Sequence, residues 1–201
     1  MFRNILTALV LSLGLSTTAM ANPTSQDPAK VPGGNYILDK RHASLVVRIG
    51  HLGGFSKFTM RFDRMDGGFT YDPANWAATK LALTVDPTSI STGLPEFDKT
   101  LAGPSYFNAG KYPAITFVTT AVAGDAAKGT VAGDLTFLGV TKPVVLDVTF
   151  NGVGPGLLGV GTRIGFSGTT RIRRSDFGLT TVSGFASDDV DLVFEVEFAK
   201  K

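Results

Sequence analysis

The sequence predicts an all-β fold: a lipocalin-like antiparallel barrel of eight strands with one short helix. Three observations carry this. Apolar residues recur at every second position in run after run, 24 glycines punctuate those runs, and 15 phenylalanines stand among Val, Thr and Leu with only 18% charged residues. Period-two alternation gives a strand one buried face. Glycine-rich turns between β-branched and aromatic runs belong to sandwiches and barrels. About eight such strands on short connections close most readily as an antiparallel barrel.

The elements follow in chain order. Met1-Phe2-Arg3-Asn4 is a short positive segment, Ile5 to Leu15 is apolar, and Ala19-Met20-Ala21 fits a signal-peptidase site. Residues 1–21 are therefore expected to be a cleaved signal peptide, since the apolar run is shorter than the ~20 residues that span hydrocarbon. The mature chain is expected to begin at Asn22 and to reside in the periplasm. The absence of cysteine fits that oxidising compartment. Residues 22–35 hold Pro, Gly, Ser and Gln with almost nothing apolar, and read as a mature N-terminal tail. Residues 36–201 form one domain, uninterrupted by linker, repeat or low-complexity tract.

Within it Leu45, Val47, Ile49 and His51 share one face of a strand, opposite Arg48 and Gly50. Phe58, Met60 and Phe62 alternate with Thr59, Arg61 and Asp63, and Phe69 to Tyr71 is extended after Gly67-Gly68. Leu81, Leu83 and Val85 alternate with Lys80, Ala82 and Thr84. Leu94 to Ala102 lacks alternation, carries Pro95 where a first-turn proline is tolerated, and stops at Gly103-Pro104. It reads as the one short helix, covering an end of the sheet. Ala114–Val122, Thr130–Leu138, Val144–Gly152 and Arg163–Ile172 are strand-like. In the last strand Val190, Leu192, Phe194, Val196 and Phe198 face away from Asp191, Glu195 and Glu197. The candidate lumen face thus comprises Leu45, Val47, Ile49 and His51, then Phe58, Met60 and Phe62. Further along it takes Leu81, Leu83 and Phe117, then Leu135, Phe137, Phe166 and Phe194. A barrel of this size is either filled by its side chains or holds one small ligand.

Chemistry is sparse. The two histidines, His42 and His51, lack the spaced partners of a metal site, no cofactor motif is present, and no G-x-S-x-G elbow accompanies either. His51 reads equally as a hydrogen-bonded core histidine or as a polar contact for a ligand head group. Gly154-Pro155-Gly156-Leu157-Leu158-Gly159 matches G-x-G-x-x-G but opens no helix, so it is a loop. Arg171, Arg173 and Arg174 beside Asp176 read as an ion-paired surface cluster. The net charge of +2 argues against nucleic acid, which demands a clustered excess of Lys and Arg.

Four strings together make the sequence resemble the YceI family of periplasmic lipid-binding proteins. They are His51-Leu52-Gly53; Phe107-Asn108-Ala109-Gly110-Lys111-Tyr112-Pro113 leading into Ile115-Thr116-Phe117; Gly133-Asp134-Leu135-Thr136-Phe137-Leu138-Gly139-Val140-Thr141-Lys142-Pro143-Val144; and Arg174-Ser175-Asp176-Phe177-Gly178. The resemblance spans Tyr36 to about Phe198. It implies a barrel whose lumen holds a long apolar ligand, a polyisoprenoid or fatty amide, against the lumen residues named above. The expected partners are that lipid and, transiently, a membrane surface; a homodimer stays open. The chain departs from the family where an Arg-Asp-x-His-Leu string is common and Phe97-Asp98-Lys99-Thr100-Leu101 stands here. It has an extra glycine at Gly53-Gly54, and Met60 where Gly is common. A lipid that starts in a membrane moves between two apolar media, so it should exchange rather than be held irreversibly. The rival readings are a packed, ligand-free barrel acting through its surface and, more distantly, a hydrolase using His51.

Overall fold

A computed structural model describes residues 24–125 and 127–201. The signal-peptide reading lies outside them. Strands β1 (Gly34–His51), β2 (Ser56–Phe62), β3 (Met65–Tyr71), β4 (Lys80–Val85) and β5 (Ile90–Ser91) precede helix α1 (Pro95–Ala102). Strands β6 (Ile115–Gly124), β7 (Lys128–Phe137), β8 (Val140–Pro155), β9 (Thr162–Arg173) and β10 (Ala186–Lys200) follow. All named pairings are antiparallel, and β10 returns to β1, so the sheet closes on itself.

The eight staves of the barrel come from ten strands because two staves are broken. β2 and β3 both pair antiparallel with β1, β2 along Leu45–His51 and β3 along Gly34–Ile37, so they are two pieces of one stave. β4 pairs with β3 and the two-residue β5 with β2, which makes the next broken stave. On the side away from β7, β6 pairs with β4 over Ile115–Val118 and not with β5. The wall beside β5 is therefore completed by α1, not by a ladder. Full closure removes the exposed edges that an open sheet would present.

α1 forms where the sequence analysis places it. Pro95 occupies its first turn with Glu96 and Asp98, which favour the positive end of the helix dipole, and Asp98 accepts from both the backbone N–H and the hydroxyl of Thr92. Leu101 is buried, and the Phe97 ring stands edge-on to Phe58 at 5.8 Å between centroids. Among the described residues six short 3-10 segments accompany it, more than the sequence suggested, three of them capped by Asp27, Asp72 and Asp86 one residue before a proline.

Residues 24–33 are not a free tail. Ser25 pairs with Val153 through two backbone hydrogen bonds of 2.8 Å, Val31 is buried, and the Tyr36 hydroxyl donates to the Pro32 carbonyl at 2.7 Å. The segment folds across one end of the barrel. A single apolar residue, Val31, anchors it, too few to register as a pattern. β1 also begins before Tyr36 and changes parity at a bulge between Leu38 and Ala43, so Tyr36 and Leu38 turn inward like Leu45 and Val47.

Candidate functional site

Inside the barrel is a cavity of about 820 Å³, near the top of the 300–1,000 Å³ range of small-molecule sites. Native cores leave few voids larger than a water molecule, so this barrel is not packed solid. Every lumen-facing residue named from the alternation borders it: the β1 set Leu45, Val47, Ile49 and His51; Phe58, Met60 and Phe62 of β2; Leu81 and Leu83 of β4; and Phe117, Leu135, Phe137, Phe166 and Phe194. Several of these, such as Leu45, Leu81 and Phe166, are only half-buried although they border the cavity.

Aromatic rings form two belts. Tyr36 stacks on Phe69 at 5.2 Å, and Phe69, Phe150, Phe166 and Phe198 pack edge-on or tilted at the end covered by residues 24–33. Phe62, Phe107, Phe137 and Phe177 form a chain with 5.7–5.9 Å spacings at the opposite end. Between the belts two glycines let rings lie flat on the wall. A Cβ at Gly133 would stand 2.3 Å from the Phe117 ring, and one at Gly168 would stand 2.2 Å from the Phe194 ring. Flattening both rings keeps the mid-lumen open. Thr119 is one polar spot there, its buried hydroxyl without a hydrogen-bond partner among the described residues.

The α1 end holds residues that alternation could not reveal. Phe97, Tyr106 and Phe107 enter from α1 and its connection to β6, and Thr181, Val182 and Phe185 from the loop between β9 and β10. None sits in a strand, so no period marks them. That loop is pinned from beneath by Arg174, which donates from Nε to the Ser187 carbonyl at 2.9 Å and from Nη1 to the carbonyls of Leu179 and Thr181 at 2.6 and 2.9 Å. Nη2 reaches the Ala186 carbonyl at 3.2 Å.

Arg174 therefore corrects the reading of the basic cluster. Its guanidinium is buried, while Arg171 and Arg173 are exposed and paired with Asp191 and Asp188 at 2.7 and 2.9 Å. His51 is corrected as well: it ends β1 at the rim, exposed, and is not a core histidine.

On the outer wall Asp39, His42 and Glu197 bring one ligand atom each within 4.8 Å of one another. This is an ion-pair network around Arg163, whose guanidinium bonds the Asp39 carboxylate and lies 3.9 Å from Glu197. Burial pushes the Asp39 carboxyl up, but hydrogen bonds from the His42 ring, the Arg41 N–H and Arg163 outweigh it and hold the group down at about 2.

Comparison with known proteins agrees with this architecture. The family model described as YceI-like domain matches residues 36–198. A UPF0312 protein of Vibrio cholerae is 39% identical over 178 residues, 87% of this chain and 92% of the relative. Protein YceI of Escherichia coli O157:H7 is 41% identical over 165 residues, covering 81% and 85%. Among solved structures, Burkholderia cenocepacia BcnA superposes with a TM-score of 0.69 at 25% identity, covering 80% of this chain and 98% of that one. A Campylobacter jejuni YCEI protein gives 0.64 at 35%, covering 73% and 87%. A polyisoprenoid binding domain from Saccharophagus degradans gives 0.61 at 20%, a likeness of fold alone, covering 83% and 98%.

Proposed function

As this chain belongs to the YceI-like family, we propose that it is a periplasmic binding protein for a long apolar molecule, a polyisoprenoid or fatty amide, held in the barrel lumen without turnover. The carrying observation is the continuous apolar cavity in a closed wall. At about 30 Å³ for a small group, water's share of liquid volume, 820 Å³ takes on the order of 25 to 30 methylene-sized groups. That suits one extended lipid chain. A ligand of roughly 40 carbons would leave part of itself at the rim. The neighbouring polyisoprenoid binding domain, though similar in fold alone, is described in terms consistent with this ligand class.

The cavity also favours binding over the packed-barrel rival. Histidine-based hydrolysis would need a group to orient the His51 ring, and among the described residues no carboxylate is hydrogen-bonded to it. Solvent extraction of protein purified without detergent, followed by mass spectrometry, tests the reading. Recovery of one class of long-chain lipid in near-stoichiometric amount is expected, with the same lipid recovered unchanged after incubation. An empty extract, together with failure to load polyprenols or fatty amides from vesicles, would leave the packed barrel as the better account.

A further inference from the structure

The two ends of the lumen differ in what borders them. At the end near residues 24–33 the cavity meets Asp125 and Lys128, and the exposed apolar tip there (Leu157, Leu158 and Val160) does not border the lumen. At the α1 end the apolar surface of the lumen continues outward onto Val182 and Phe185, which are 41% and 62% exposed while still bordering the cavity. Beside them the β1–β2 turn presents Leu52, 41% exposed, and Phe55, 90% exposed. The two loops are joined by a hydrogen bond of 2.8 Å from the Leu52 N–H to the Phe185 carbonyl.

Both loops hold these side chains out at a conformational cost. Leu52 has φ 45° and Val182 has φ 57°, the latter an outlier for a β-branched residue; Leu158 at the opposite tip shares a φ of 57°, so continuity with the lumen, not strain alone, distinguishes the two ends. Such strain persists only where the surroundings impose it, and it gathers at ligand clamps. Around Val182 the Arg174 hydrogen bonds to Leu179, Thr181 and Ala186 hold the loop, and Leu52 is tied to it through the Phe185 carbonyl. Unlike the exposed tip at the other end, these four side chains cluster in two hydrogen-bonded loops, and two of them border the lumen, the kind of apolar patch that marks an interaction site.

We propose that Leu52, Phe55, Val182 and Phe185 form the face that seats on a phospholipid bilayer, with the lumen mouth opening beneath them. The inference rests on the proposed lipid binding, since an apolar ligand leaving a membrane then stays on apolar surface throughout. Charge selects how the face engages. Lys57 and Arg171 beside the rim share Asp191, and Arg173 is held by Asp188. With those cations already paired, insertion of the rim, not attraction to anionic head groups, drives binding.

The test measures partition of the full mature protein onto vesicles of phosphatidylcholine, alone and mixed with phosphatidylglycerol. Farnesol binding in solution is followed separately through Trp76, which borders the far end of the lumen. Phe55→Ser should lower partition about tenfold, from the transfer value of a buried aromatic, with farnesol affinity unchanged. Added phosphatidylglycerol or salt should change partition by less than about twofold. Leu157→Ser/Leu158→Ser should partition as the parent does. The proposal is overturned if Phe55→Ser partitions normally, if the Leu157/Leu158 variant is the one that detaches, or if binding depends steeply on anionic lipid. Farnesol binding without vesicle binding would sink the docking face alone. Vesicle binding without farnesol binding would sink the lumen reading and spare the face.

Discussion

Met60 sets a measurable limit on the ligand. It pairs with Val47 across β1 and β2, is buried, and borders the lumen among Phe62, Phe107 and Val85. Its side chain has four heavy atoms, which at about 30 Å³ for a small group occupy on the order of 120 Å³. That is a seventh of the 820 Å³ cavity, close to one five-carbon prenyl unit. Met60→Gly should therefore raise the longest polyprenol retained by about one prenyl unit. The empty variant should lose roughly 3 kcal/mol of stability, the usual range for truncating a buried side chain, and recover part of it once loaded. Met60→Trp should lower the limit by a similar step and cost about 1–3 kcal/mol through overpacking. The assay loads each protein from vesicles carrying a mixture of polyprenols and reads the retained lengths by mass spectrometry. Identical profiles for the three proteins would refute the placement of the ligand chain against Met60.

Three further outcomes follow from the same geometry. Arg174→Met should destabilise the fold by about 3–5 kcal/mol, because removing one partner strands buried polar groups. Hydrogen exchange should show the loss concentrated in residues 178–187. The Asp39 carboxyl, held at about 2, contributes stability that is complete above its unfolded value near 4 and is lost as pH falls through 2. Asp39→Asn should remove at most about 2 kcal/mol at neutral pH and flatten the acid limb of a urea-unfolding series between pH 4 and pH 2. Gly133→Ala should push the Phe117 ring into the lumen and press on the Val118 carbonyl, lowering stability and reducing the amount of long-chain lipid retained relative to shorter chains.

The barrel was legible because its wall obeys one rule, alternation, and a one-residue slip would turn a whole strand's apolar set outward. Hence the lumen sides of β2, β4 and β10 were readable residue by residue. What escaped lies where that rule lapses. The bulge after Leu38 reverses parity and hides the inward turn of Tyr36 and Leu38. Asp63-Arg64 and the turn over Pro87–Ser89 break two staves without changing their pattern enough to count ten segments. Arg174 looks like its exposed neighbours Arg171 and Arg173, and only the carbonyls of a folded loop make its burial tolerable. The rim residues Val182 and Phe185 sit in a loop whose shape depends on that arginine.

Whether an apolar chain lies inside this barrel can be read from depth-resolved quenching of Trp76. Trp76 is the only tryptophan and borders the cavity near the end covered by residues 24–33. Long-chain ligands brominated either near the head or near the tail are loaded, and the emission of Trp76 is compared. Strong quenching by the tail-brominated chain and weak quenching by the head-brominated one are expected, for a chain that enters tail-first beneath Phe185. Stoichiometric binding with no quenching from either position would place the ligand outside the lumen and contradict the account.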